Sequence, residues 1–242
     1  MKGSKINVLA VAAHPDDVEL GCAGTLLVQK SRGNTVGIID LTEGELGTRG
    51  TAETRVAEAK AAAKALQLDI RENLGLPDGF FENTRAYQLS VVRAIRKYRP
   101  DIVLTNAPED RHPDHGRASQ LVYDSCFLAG LIKIETELDG EPQTAWRPRQ
   151  IFYFIQDRYL DPDFIVDISE VLEQKKAAIR CFKTQFLAPE TDEVQTYIST
   201  PAFFESVINR NAMWGKMISV PYGEGFISPK KIGVRNLDDL IL

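Results

Sequence analysis

Residues 6–17 read Ile-Asn-Val-Leu-Ala-Val-Ala-Ala-His-Pro-Asp-Asp, an apolar run that ends abruptly in a histidine, a proline and two carboxylates. Apart from Asn7, the stretch 6–12 shows no polar alternation, which predicts a strand covered on both faces, as in a parallel sheet flanked by helices. Open α/β sheets bind their ligands beyond the carboxyl ends of such strands, and His14, Asp16 and Asp17 fall there. Pro15 fixes its own φ and restricts His14, so the turn is stiff.

Outward from this strand the same alternation continues. Helical spacing over 18–31 leads to an apolar run at 35–41, and a helix over 52–66 opens after Gly50. A short strand at 69–73, a loop at Leu76-Pro-Asp-Gly79, a helix at 85–98, a strand at 101–105 and a helix at 116–129 follow. Strand-then-helix order predicts right-handed crossovers between parallel strands. The expected fold is therefore a Rossmann-like α/β domain, a doubly wound, mostly parallel sheet with helices on both faces. Past the linker-like Asp139-Gly-Glu-Pro142, 150–156 and 164–168 read as strands, and 170–182 and 199–217 as helices. Pro221-Tyr-Gly-Glu-Gly-Phe226 reads as a covering loop, so a smaller C-terminal extension completes a single domain over 1–242. There is no internal repeat and no low-complexity tract.

A chain of 242 residues with 43% apolar content can bury one large core. The net charge of −5, with no stripe of Lys and Arg, argues against nucleic acid as a partner. Lys2 and Lys5 precede the first apolar run and Ala10-Val-Ala12 superficially matches a signal-peptidase site. The run is interrupted by Asn7 and is too short for a leader's apolar region, and no stretch reaches the length of a membrane span. Cys22, Cys126 and Cys181 are odd in number, far apart and without C-x-x-C spacing, so they suggest neither a disulfide framework nor a thiolate metal site. A reducing cytoplasm fits this usage, and each cysteine reads as a small buried hydrophobe.

The chain has three histidines, His14 in the first cluster and the other two in Arg111-His-Pro-Asp-His115, within about ten residues of the strand ending near Thr105. Two histidines and one carboxylate make the three-ligand set with which a catalytic Zn²⁺ keeps one position open for water, although Fe²⁺, Co²⁺ or Mn²⁺ can use the same donors. The competing explanation is that Asp16 or Asp17 merely caps the helix beginning near Val18. The glycines of Gly44-Glu-Leu-Gly-Thr-Arg-Gly50 lack the ending of a phosphate-binding loop; they suit close approach of backbone to a sugar, with Arg49 or Arg55 free to clamp a carboxylate. For Arg49 a solvated loop charge is an equal reading.

The string AHPDDVELGCAGTL, together with HPDH, resembles the PIG-L/LmbE-like family of zinc-dependent N-acetylglucosaminyl deacetylases. Further stretches, LTEGELGTRGT, LPDGFFEN, EDRHPDHGRAS, YGEGF and RNLDDLI, are similar to members that deacetylate N-acetylglucosaminyl-malate in bacillithiol biosynthesis. The resemblance implies one zinc ion per subunit held by His14, Asp17 and His115, with Asp16 as general base. It also implies His112 beside the oxyanion, oriented by Asp114, and Arg55 and Arg111 near the mouth. Tyr197 matches a loop tyrosine that reaches the tetrahedral intermediate. A small amino-sugar substrate, a cytoplasmic location and a homo-oligomer such as a hexamer are implied too. From the residues alone, Asp16 and Asp17 can exchange roles or both bind metal. A chitooligosaccharide deacetylase, a bacillithiol-conjugate amidase and a non-catalytic metal- or sugar-binding module are the alternatives.

Overall fold

The computed structural model describes residues 5–186 and 194–241, which leaves Lys2 outside. The chain begins with β1 (Val8–Ala12), α1 (Asp17–Gly21), α2 (Ala23–Ser31), β2 (Val36–Thr42), α3 (Ala52–Ala65), β3 (Ile70–Leu76), α4 (Arg85–Tyr98), β4 (Ile102–Asn106) and α5 (Pro113–Ala129). It continues with the short hairpin β5 (Glu137–Leu138) and β6 (Glu141–Pro142), then β7 (Gln150–Phe154), β8 (Phe164–Asp167), α6 (Leu172–Ile179), α7 (Pro201–Met217) and β9 (Gly223–Ile227). Seven strands form one sheet in the order β3-β2-β1-β4-β7-β9-β8, in which β9 alone runs against its neighbours. The doubly wound, mostly parallel architecture is as expected, and strand order reverses between β1 and β4.

Every residue of β1 and β2 is buried. Alternation along β1 sends Leu9 and Val11 to a core under α4 and α5, and Val8, Ala10 and Ala12 to a second core under α2 and α6. Both faces are filled because both are covered by helices, which is why the run carries almost no polar residue.

Three departures from the sequence-based expectations bear on how the site is built. The single helix expected over 18–31 is broken at Cys22, whose φ is −147°. The break is stabilised from β9: the Glu224 carboxylate accepts from the Gly24 and Thr25 backbone N–H groups at 2.9 and 2.7 Å, capping α2, and from the Thr25 hydroxyl at 2.7 Å. Lys175 donates to Glu224 at 2.6 Å and to the Leu20 carbonyl at the end of α1 at 3.0 Å, and both charged side chains are fully buried. The second departure concerns 221–226, expected as a loop, whose last part enters the buried strand β9. Gly225 packs so closely on Trp214 and Pro162 that a Cβ would come within 3.0–3.1 Å of them. Third, α5 starts three residues earlier than expected, because His112 caps it and Pro113 occupies its first turn, where a missing N–H costs nothing. No helix of the described residues is long and apolar enough to cross a membrane.

Glu224→Ala strands a buried ammonium and uncaps α2, so the unfolding free energy from urea denaturation is expected to fall by about 3–5 kcal/mol. The pair Lys175→Met with Glu224→Gln removes the orphaned charge and keeps an acceptor for the cap, and is expected to recover part of that loss.

Candidate metal and catalytic centre

β1 and β4 deliver their carboxyl ends to the reversal in strand order, and a cleft of about 500 Å³ opens above it. The Asn106 side chain at the end of β4 accepts from the Ala13 N–H at 3.0 Å, joining the two strand ends just before His14. The chain then makes a tight turn in which Asp16 adopts φ 126°, ψ −24°, a conformation that a residue with a side chain rarely holds. Asp16 stands at the N-cap position of α1 but makes no side-chain capping bond, so capping does not account for its carboxylate. Instead the Asp16 carboxylate lies 3.3 Å from the Arg55 guanidinium, which also donates to the Pro15 carbonyl at 2.6 Å. Burial pushes the Asp16 carboxyl up to about 7 against the pull of Arg55.

Asp17 is buried at the centre. Its Oδ2 accepts from the His14 backbone N–H at 2.9 Å and from Asn106 at 3.3 Å, and its Oδ1 accepts from Gln156 at 2.8 Å. The same carboxylate faces both imidazoles: His14 Nδ1 lies 3.4 Å from Oδ2, and His115 Nε2 3.1 Å from Oδ1. Burial opposes its charge, but His115 and His14 outweigh it and hold the Asp17 carboxyl well below the usual carboxylate range.

The outer nitrogens of both rings are anchored by carboxylates. His14 Nε2 lies 3.1 Å from Asp78 and 3.3 Å from Asp114, while His115 Nδ1 lies 2.6 Å from Asp110. Burial works against a charged His115 ring, but Asp17 and Asp110 prevail and raise it to about 9. A carboxylate behind each imidazole fixes the ring and makes it a better metal donor, an arrangement recurrent around metal-ligating histidines. Asp78 and Asp114 are themselves held, the first by the Leu46 N–H at 2.9 Å, the second by the Gly79 N–H at 2.8 Å and Arg117 at 2.6 Å.

Donor atoms of His14, His112 and His115 lie within 4.8 Å of one another, as do those of His14, Asp78 and Asp114. Asp17 adds a carboxylate between two of the rings. A tetrahedral ion with bonds of about 2.0–2.1 Å spaces neighbouring donors roughly 3.3 Å apart, close to the 3.4 and 3.1 Å separating Asp17 from His14 and His115. The nitrogen and oxygen donors therefore suit a borderline divalent cation.

His112 closes the cleft beside these groups, its ring 4.6 Å from that of His14 and 5.3 Å from that of His115. Its Nδ1 accepts from the Asp114 backbone N–H at 3.3 Å, which leaves the ring hydrogen on Nε2. The expected partner was the Asp114 carboxylate; that carboxylate supports His14 instead, because the first turn of α5 turns it away from its neighbour. Burial lowers the His112 ring, and His14 and His115 lower it further, favouring the neutral form.

The arginines divide. Arg49 is buried, donating to the Thr184 and Val194 carbonyls at 3.0 Å each, so it fastens two chain segments together and is not the free carboxylate clamp considered above. Gly44, at φ 68°, lies against the Arg55 guanidinium, where a Cβ would come within 3.0 Å, so its conformation makes room for protein. Arg111 stands half-exposed at the mouth, paired with Asp157 at 2.7 Å and lying over the Tyr197 ring at 4.6 Å. The Tyr197 hydroxyl donates to the same Asp157 at 3.1 Å.

Asp78, Asp110, Asn106 and Gln156 are functional neighbours that the sequence did not single out. Asp110 sits five residues before His115 in the same cluster, a spacing that carried the signal. Asn106 and Gln156 had none, being ordinary polar residues at or just past the ends of β4 and β7.

Residues 9–126 match the family model described as "PIG-L: GlcNAc-PI de-N-acetylase". The diacetylchitobiose deacetylase of Thermococcus kodakarensis is 30% identical over 232 residues, covering 90% of this chain and 81% of that protein. A Bacillus subtilis protein described as a probable N-acetyl-α-D-glucosaminyl L-malate deacetylase 2 is 27% identical, covering 75% of this chain and 84% of its own length. The crystal structure of the conserved protein TT1542 from Thermus thermophilus superposes with a TM-score of 0.86 at 36% identity, over 96% of this chain and 98% of that one.

Asp110→Asn leaves the metal-facing donors in place but weakens the support of His115. Zinc affinity, read by competition with a chromophoric chelator, is expected to fall about 10–100-fold.

Proposed function

The chain belongs to the PIG-L family of N-acetylglucosaminyl deacetylases, and on that premise we propose that it is a cytoplasmic, zinc-dependent enzyme of bacillithiol biosynthesis. It hydrolyses the N-acetyl group of N-acetylglucosaminyl-malate to glucosaminyl-malate and acetate. His14, Asp17 and His115 would hold the ion, His14 Nδ1 and His115 Nε2 being the ring nitrogens that face the Asp17 carboxylate. A zinc ion bound there would lower the pKa of a water to about 7 and polarise the acetyl carbonyl, answering the poor nucleophile and poor electrophile that make an amide resistant.

One observation carries this reading: a buried carboxylate, Asp16, lines the cleft beside Asp17 in a strained turn, makes no capping bond and is paired there with Arg55. Asp16 takes the proton of the attacking water and passes it to the departing amine, so the leaving group departs as the neutral amine. His112 donates its Nε2 hydrogen to the acetyl oxygen as negative charge grows there, a contribution on the scale of about 3–4 kcal/mol for such donors. Asp114 acts on both rings, through its backbone N–H on His112 and its carboxylate on His14. Tyr197, which lines the cleft and donates its hydroxyl to Asp157, is the tyrosine that would meet the tetrahedral intermediate. Arg55 holds Asp16, and Arg111 at the mouth is the cation placed to meet the malate carboxylates. The likeness to the Bacillus subtilis protein supports the malate derivative, while the likeness to the Thermococcus enzyme favours a second reading, a diacetylchitobiose-type substrate.

The deciding experiment is acetate release from N-acetylglucosaminyl-malate by protein stripped of metal and titrated with zinc. Asp16→Asn is expected to keep its zinc and lose about 10²–10⁴-fold in kcat. His115→Ala is expected to lose the metal; equal zinc loss in both variants would overturn the division of roles. Arg111→Ala is expected to raise KM for the malate derivative and leave N,N′-diacetylchitobiose unaffected, whereas wild-type rates indifferent to the malate group would favour the second reading.

A further inference from the structure

The catalytic cleft has two unlike walls. On one side of the reversal in strand order, the loops after β4 and β7 supply Arg111 and Asp157, with the Tyr197 hydroxyl bonded to the latter. On the other side, the loops after β2 and β3 supply Leu46 and Phe80. These two apolar side chains line the cleft yet are 61% and 76% exposed, so neither belongs to the core.

The backbone beneath them is fixed. Asp78 accepts from the Leu46 N–H at 2.9 Å and its own N–H donates to Glu45 at 2.8 Å, which ties the two loops together in both directions. The Gly79 N–H donates to Asp114 at 2.8 Å, and the Gly79 carbonyl accepts from Arg117 at 2.7 Å. Gly79, at φ 73°, lies against Leu46, where a Cβ would come within 3.2 Å of the leucine side chain. Phe81 is fully buried in the core under α4 and α5. Of two consecutive phenylalanines, one therefore anchors the loop and the other is held out at the cleft. Apolar side chains presented to water on a fixed backbone mark a contact site, and little chain order is lost when they bind.

We propose that Leu46 and Phe80 form the platform on which the pyranose ring of the substrate rests, with the Phe80 ring against a C–H face of the sugar. The inference rests on the deacetylase reading above, which sets the acetamido group over His14, Asp17 and His115. The sugar carbon is only one nitrogen away from the reacting carbonyl, so the pyranose must lie in the cleft beside that cradle. A pyranose offers flat C–H faces and a rim of polar substituents; the Leu46 and Phe80 wall suits the first, and the wall of Arg111 and Asp157 the second. The ring is common to the malate and chitobiose derivatives. The platform therefore sets affinity for N-acetylglucosaminides as a class, whereas Arg111 tells their aglycones apart. The same two carboxylates that fix this wall, Asp78 and Asp114, stand 3.1 and 3.3 Å from His14 Nε2, so sugar platform and metal-facing imidazole share their supports.

Phe80→Ala is expected to raise KM about 10-fold for N-acetylglucosaminyl-malate and N,N′-diacetylchitobiose alike while changing kcat far less, and Phe80→Trp to bring KM back. Zinc content of Phe80→Ala, read by atomic absorption, is expected to match wild type, which separates a lost sugar contact from a disturbed His14. Saturation-transfer NMR of N-acetylglucosamine with zinc-loaded Asp16→Asn protein is expected to mark the ring protons. Adding Phe80→Ala to that chain is expected to weaken the ring-proton signal more than that of the acetyl methyl. The proposal fails if Phe80→Ala keeps the wild-type KM on both substrates, as it would were the two side chains covered by another protein. It fails equally if KM rises only in step with lost zinc, or if the ring-proton signal is indifferent to Phe80. Wild-type protein that releases acetate from neither substrate overturns the deacetylase reading and the platform with it; wild-type turnover with an unchanged Phe80→Ala KM overturns the platform alone.

Discussion

A single buried carboxylate, Asp17, sets the terms for the catalytic end of this protein. A charge taken out of water is tolerable only if its oxygens are met by donors, and here the donors come from separate parts of the fold. The His14 N–H follows β1, Asn106 ends β4, Gln156 lies just past β7, and His115 stands on the first turn of α5. Satisfying one side chain therefore registers three neighbouring strand ends and a helix start. The reversal in strand order between β1 and β4 leaves space above that junction, so the same constraint that assembles the strand ends also lines the cleft.

The turn carrying Asp16 is costly, since a residue with a Cβ at φ 126° stores strain of order 1–3 kcal/mol. Two polar networks keep α1 from relaxing it. On one side Arg71 makes paired bonds to Asp40 at 2.8 and 3.0 Å and reaches Glu19 of α1 at 2.6 Å. On the other, Lys175 holds the Leu20 carbonyl while Glu224 caps α2. The helix is gripped from both flanks, which holds in place the turn that presents Asp16.

The arginines show how a cleft sorts like residues into unlike tasks. Arg49 and Arg55 spend their donors on protein carbonyls and Asp16, whereas Arg111 rests on a carboxylate and a tyrosine at the entrance. Deep donors build the site, and the mouth keeps the cation that can change partners. Under the proposed function, selectivity for an aglycone belongs to the rim and deacetylation to the buried groups beneath it.

How much of this was legible beforehand follows from the range of each interaction. The buried strand at 6–12, the helix over 85–98 and the doubly wound order could be read in advance, because apolar periodicity and turn residues act over a few positions and both faces of the sheet are covered. His14, Asp17, His115 and Asp16 stood out because rare residue types gathered at strand ends, where α/β sheets bind ligands. Asp78 behind His14, Gln156 on Asp17 and Glu224 on α2 could not be read, since each acts on a partner 64, 139 or about 200 residues away. Nothing local distinguishes such a side chain from a solvated one. The same distance explains why the glycine-flanked Glu224 resembled a loop and why Arg49 resembled a ligand clamp. The sequence by itself determined which elements form and which chemistry the strand ends can offer. Only the tertiary structure decided which polar groups stand behind that chemistry, because burial and pairing are properties of where the chain returns in space.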